Sequence, residues 1–124
     1  MLFRSVQSVV RHVPSGRYLA IFATIRAPAP GAARQSGVWY ASSADLVTWS
    51  TPRLLIELPL MWAFACPQAA VWAYPALIDR DSAARNFDEA GARAELYLTR
   101  FNLASDCRLG PDRDLVRFGV EIQG

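Results

Sequence analysis

The sequence predicts an all-β chain, and three observations carry that expectation. Apolar and polar residues alternate with a period near two along most of the chain, while helical periodicity is hard to find. Clusters of Pro, Gly, Asn, Asp and Ser punctuate the alternating runs at short intervals. The runs also group: four strands, a connector, then three strands. A four-stranded unit repeated around an axis is the grammar of a β-propeller. The expected architecture is therefore about two blades of an incomplete ring, with one blade over residues 1–57, a connector over 58–73 and a second blade over 74–124.

Each element has a local reason. Ser5-Val6-Gln7-Ser8-Val9-Val10-Arg11-His12-Val13 is Val-rich and roughly alternating, and Pro14-Ser15-Gly16 is a turn signal. Arg17-Tyr18-Leu19-Ala20-Ile21-Phe22-Ala23-Thr24-Ile25 follows as a more buried strand, so the two form a hairpin. Two prolines and Gly31 make Ala27 to Gln35 a surface loop. A third strand spans Gly37 to Ser42 and runs into Ser43-Ala44-Asp45-Leu46-Val47-Thr48-Trp49. There Ser43 and Asp45 can turn their oxygens onto downstream N–H groups, and Leu46, Val47 and Trp49 return apolar mass to the core. Arg53-Leu54-Leu55-Ile56-Glu57 is a fourth, outer strand. The pattern restarts at Tyr74-Pro75-Ala76-Leu77-Ile78-Asp79, where Pro75 suits a strand start. Arg80 to Gly91 is a polar loop, Ala94 to Phe101 alternates as a strand, Asn102 to Pro111 is a loop, and Asp114 to Ile122 is the last strand.

Composition narrows the function classes. Half of the 124 residues are apolar and under a fifth are charged, which is a globular balance. The net charge is only +2 and every formal cation is Arg; together with the Ala richness this points to a GC-rich, bacterial genome. The Arg residues are scattered from Arg4 to Arg117 and nearly balanced by acids, so nucleic acid is not an expected partner. Leu58 to Ile78 carries no charge, yet Pro59, Pro67 and Pro75 break any helix there, so no membrane span is expected. The first residues lack the apolar stretch of a signal peptide, and localisation stays open. Cys66 and Cys107 can form at most one disulfide, and spacing leaves their pairing open. With His12 the only histidine, soft ligands are too few for a zinc site, and neither metal nor cofactor is expected.

The run Ser43-Ala44-Asp45-Leu46-Val47-Thr48-Trp49 resembles the S-x-D-L-x-x-W element of five-bladed propeller glycosidases, the arabinanase/xylosidase group (glycoside hydrolase family 43) and the invertase group. It is also similar to the Asp-box of sialidases, one residue shorter and without the central Gly. The runs Tyr74 to Asp79, Ser82 to Phe87, Glu95 to Asn102 and Asp112 to Arg117 resemble the last blade of such proteins. The resemblance implies a C-terminal piece of a carbohydrate-active hydrolase, whose relatives are often exported. It implies no catalytic residue here, because no position matches the three carboxylate motifs of that group. The alternative is a non-catalytic propeller that serves as a binding or interaction module.

Candidate site residues follow from the fold. The innermost strand of each blade would line the central channel, which puts Arg4, Ser5, Gln7 and Tyr74 forward as ligand contacts, with carbohydrate the ligand class. Ser43, Asp45 and Trp49 are read as a structural turn, although Asp45, Asp79, Asp81, Asp88, Glu95 and Asp114 are the acids a glycosidase would draw on. Asp79, Asp81, Asn86 and Asp88 lack the Gly and closing Glu of a calcium loop and are expected to be solvated. Asp112, Arg113, Asp114 and Arg117 are expected to pair locally. His12 is expected on the hairpin surface, and Cys66 as an inert buried thiol. The aromatics Trp39, Tyr40, Trp49, Trp62, Trp72 and Tyr74 could stack on sugars, and most should pack between blades. A part-ring would expose flat blade faces, so self-association is expected.

Overall fold

The computed structural model describes residues 8–123, which form an all-β structure of two blade-like sheets in an open arc. The strands are β1 (Ser8–His12), β2 (Arg17–Arg26), β3 (Gln35–Ser43), β4 (Arg53–Glu57), β5 (Ala70–Ile78), β6 (Glu89–Ala90), β7 (Arg93–Asn102) and β8 (Arg113–Glu121). The first sheet is the antiparallel meander β4-β3-β2-β1, extended by β6 beyond β1; the second is the antiparallel sheet β5-β7-β8. The four-plus-three grouping read from the alternation is therefore the grouping of the fold.

Hairpin geometry explains the meanders. The β1–β2 turn closes through Gly16 N donating to His12 O, and Gly16 has φ of 69°, a conformation open to glycine without steric cost. Pairing of β2 with β3 is unbroken from Tyr18↔Ser43 to Arg26↔Gln35. Between β3 and β4 the register slips at Val38/Trp39, and Gly37 lies so close to the Ile56 carbonyl oxygen that a side chain there would overlap it. Pairing of β7 with β8 is also unbroken, from Arg93↔Glu121 to Phe101↔Arg113.

The period-two alternation sorts side chains onto two faces of each sheet. Val10, Ile21 and Val38 from the first sheet meet Leu77, Leu96 and Leu98 from the second, so the main core lies between the sheets. Ala90 of β6 belongs to this core as well. On the opposite face of the first sheet, Phe22 and the fully buried Trp39 form a second cluster, covered by Trp49 and Leu54. Trp39 thus packs beneath the Trp49 turn and not between the sheets. A third cluster, Val71, Ala73 and Phe101, lies under Met61, Phe64 and Leu103.

Several expectations are corrected. The connector ends sooner than read: β5 begins at Ala70, and a bulge between Ala73 and Ala76 takes up Tyr74 and Pro75, so Pro75 sits mid-strand where no ladder bond is asked of it. The loop from Arg80 to Gly91 contains β6, which pairs parallel with β1 through Arg11↔Glu89 and His12↔Ala90. Leu46 and Val47 do not return to the core; they are 48% and 81% exposed, and Trp49 alone of the three turns inward. Cys66 is no free thiol, being bonded to Cys107 across 41 positions of sequence. No helix among the described residues is long and apolar enough to cross a membrane.

Candidate functional site

The Ser43–Trp49 turn is a compact hydrogen-bonded device. Ser43 Oγ accepts from the N–H groups of Asp45 (3.2 Å) and Leu46 (2.9 Å) and donates to Asp45 Oδ1 at 3.0 Å. The same Asp45 oxygen accepts from Val47 N (2.9 Å) and Thr48 N (2.8 Å). Those donors, Thr48 first, then Val47 and the Ser43 hydroxyl, hold the Asp45 carboxyl below its ordinary value. These three bonds all fall on Oδ1 and all lie within the turn. Asp45 therefore has a structural assignment in this geometry.

Three of the other acids, Asp79, Glu95 and Asp114, are similarly engaged. Asp79 accepts from Asp81 N (2.9 Å) and Gly91 N (2.8 Å), which pins the loop ahead of β7. Glu95 lies between Arg80 (2.7 Å) and Arg117 (3.2 Å). Asp114 pairs across the sheet with Arg100 (2.7 Å) and Asn102 (2.9 Å), and the Arg100 guanidinium, ahead of the Asn102 amide, lowers its carboxyl below the ordinary value. The local pairing expected of Arg113 and Arg117 with Asp112 and Asp114 is replaced by these cross-strand contacts, and Arg113 lies 4.7 Å over the Phe101 ring. Among the described residues no three His, Cys, Asp or Glu side chains converge as a metal site.

Of the residues read as ligand contacts, Arg4, Ser5 and Gln7 lie outside the described residues. Tyr74 is 59% exposed at the β5 bulge, with φ of 60° and its ring 6.2 Å from Phe101. It stands apart from the main concavity. β6 pairs with β1 at Arg11 and His12, just beyond the stretch 4–10 expected to face the channel.

The main concavity runs between the inner face of the first sheet and the end of β8. It consists of two depressions of about 420 and 480 Å3 that share Leu19, Tyr40, Arg53, Ile122 and Gln123. Alternation builds it: Arg17, Leu19 and Ile21 project from one face of β2, Tyr40 and Ser42 from β3, Arg53 and Leu55 from β4. One half is apolar, with Ile21, Leu55, Leu77 and Val120. The other half is polar, with His12, Ser15, Arg17, Ser42, Ser50 and Thr51. Half-buried Tyr40 lies at the junction and is opposite Arg53 in the ladder.

A chain of hydrogen bonds fixes the polar half. His12 Nδ1 is 2.7 Å from Ser15 Oγ, and Ser15 Oγ accepts from Arg17 N at 3.2 Å. Arg17 Nη2 donates to Ser42 Oγ at 3.2 Å, and Ser42 N donates to Ser50 Oγ at 2.9 Å. His12 is 3% exposed, against the surface position expected from sequence, and its strand is flanked there by β6. Its Nε2 has no hydrogen-bond partner among the described residues. Assigning the Ser15 proton to Nδ1 leaves Nε2 as an N–H donor.

The groove offers donors and an aromatic face. Glu121 is the acid that lines the groove, at its apolar half. Sequence reasoning passed over Arg17 and Arg53 because each reads as an ordinary strand end; the signal that could have found them is that both fall in phase with their strands' core-facing residues. No family model, no curated protein and no solved structure matches the chain.

Proposed function

We propose that the chain is a non-catalytic, propeller-like carbohydrate-binding module, with the groove between its two sheets as the sugar site. The observation that supports this reading is Tyr40, half-buried where the apolar half meets Ser42 and Arg53. A sugar offers an apolar face for such a ring and hydroxyls for the donors around it, the usual division of labour in a small-molecule cleft. The engaged state of Asp45, Asp79, Glu95 and Asp114 favours binding over hydrolysis.

A second reading keeps the module within a carbohydrate-active hydrolase, as blades that contribute wall and subsite residues. The Ser43–Trp49 turn favours it, through its likeness to the turn element of propeller glycosidases. Titration calorimetry against a panel of neutral and acidic oligosaccharides tests the first reading. Saturable binding that weakens about three- to tenfold in Tyr40→Ala is the expected result. Turnover of aryl glycosides by the isolated chain, abolished by replacing one of its own carboxylates, would overturn it.

A further inference from the structure

We infer that the polar half of the groove is an oxyanion subsite, so that the preferred ligand carries a carboxylate or sulfate on its sugar. The inference rests on the carbohydrate reading of the groove and adds the charge of the ligand. Arg11, Arg80, Arg93, Arg100, Arg108 and Arg117 each have a carboxylate within 4.0 Å. Among the described residues Arg17, Arg34, Arg53, Arg85 and Arg113 have no carboxylate so close, and of these Arg17 and Arg53 line the polar half. Arg17 is steadied by its bond to Ser42 Oγ, which leaves its other guanidinium N–H groups available. Arg53 is one strand beyond Tyr40 and Arg17 one strand before Ser42. Arg53 is level with Ile21, four residues along β2 from Arg17, so their backbones are roughly 16 Å apart, and it is the reach of Arg17 to Ser42 Oγ, two residues from the ladder partner of Arg53, that brings the two guanidinium arms toward one anion.

The second, independent observation is His12. It is buried, lines the same half and is the ladder partner of Arg17. Its Nε2 is left without a hydrogen-bond partner among the described residues. A buried polar atom in this state is the exception in folded proteins and calls for a missing partner. That atom is enclosed by protein, so the ring's contribution is positional: Nδ1 lies 2.7 Å from Ser15 Oγ, which accepts from Arg17 N, and this fixes the strand end from which Arg17 projects into the groove.

The test is calorimetry of the full chain with tetragalacturonate, with its methyl ester, and with sodium sulfate, all at one ionic strength. The acid is expected to bind at least tenfold more tightly than the ester. Arg17→Gln and Arg53→Gln are each expected to weaken the acid about fivefold or more and the ester about twofold or less, so that the acid's advantage over the ester shrinks. Arg53→Lys, which keeps the charge, retains part of the acid's advantage, and the melting temperature of each variant checks folding. Equal affinity for acid and ester overturns the oxyanion subsite and leaves the carbohydrate reading standing. Sulfate binding that needs both arginines, without binding of either sugar, supports the subsite and overturns the carbohydrate reading. Failure of all three to bind overturns both.

Discussion

Removing the Cys66–Cys107 cross-link isolates one term in the stability of this fold. The two residues are 41 positions apart, and the loop they close contains β5, β6 and β7. Neither cysteine belongs to the buried core, so Cys66→Ser/Cys107→Ser removes little packing. What it does remove is the restraint on the unfolded chain. In the chain-entropy treatment a closed loop of this size lowers the unfolded-state entropy by about 13 cal/mol/K, or about 4 kcal/mol at 25 °C. At about 2.1 cal/mol/K of unfolding entropy per residue, a chain of 124 residues should lose ~15 °C in Tm. Scanning calorimetry of the double variant beside the oxidised parent measures this, and reducing the parent should reproduce it. The urea slope should also rise, because the freed chain exposes more surface on unfolding. A Tm loss under about 5 °C with an unchanged slope would refute the reasoning.

Other expectations test other parts of the structure. Gly37→Ala should cost about 1–3 kcal/mol in urea denaturation, since the new methyl must displace β4 backbone at Ile56 and Glu57. Leu98→Ala removes a fully buried side chain from the inter-sheet core and should cost about 2–5 kcal/mol by the same measurement. Asp45 has a folded pKa below its unfolded value of 3.8, so its contribution is complete above that value and is lost as pH falls through the folded one. In Asp45→Asn the acid limb of the stability profile between about pH 5 and pH 2 should be shallower than in the parent, read from urea midpoints across that range.

Much of the architecture was legible because alternation and turn chemistry are local. The fourth strand, Arg53 to Glu57, falls where its apolar run predicts, and Pro14-Ser15-Gly16 marks the hairpin that joins β1 to β2. What escaped was non-local or depended on direction. Two residues of β6 carry no pattern of their own and become a strand only through pairing with β1, far away in sequence. His12, at the end of β1 where that pairing occurs, is buried, although sequence alone leaves it on a surface hairpin. Leu46 and Val47 read as core residues by type, but Leu46 adopts φ of 65° and the turn directs both outward. The groove was hidden for a related reason: Arg17 and Arg53 share it only because β3 intervenes between their strands.

The parallel bond between β6 and β1 has a further consequence for how the molecule divides. A cut between Glu57 and Ala70 would not yield two autonomous halves, because the first would lose the segment that accepts the Arg11 and Val13 N–H groups and the second would lose its anchor on them. Recombination experiments should therefore treat the seam, and not the proline-rich linker, as the point at which the halves are stitched into one melting unit.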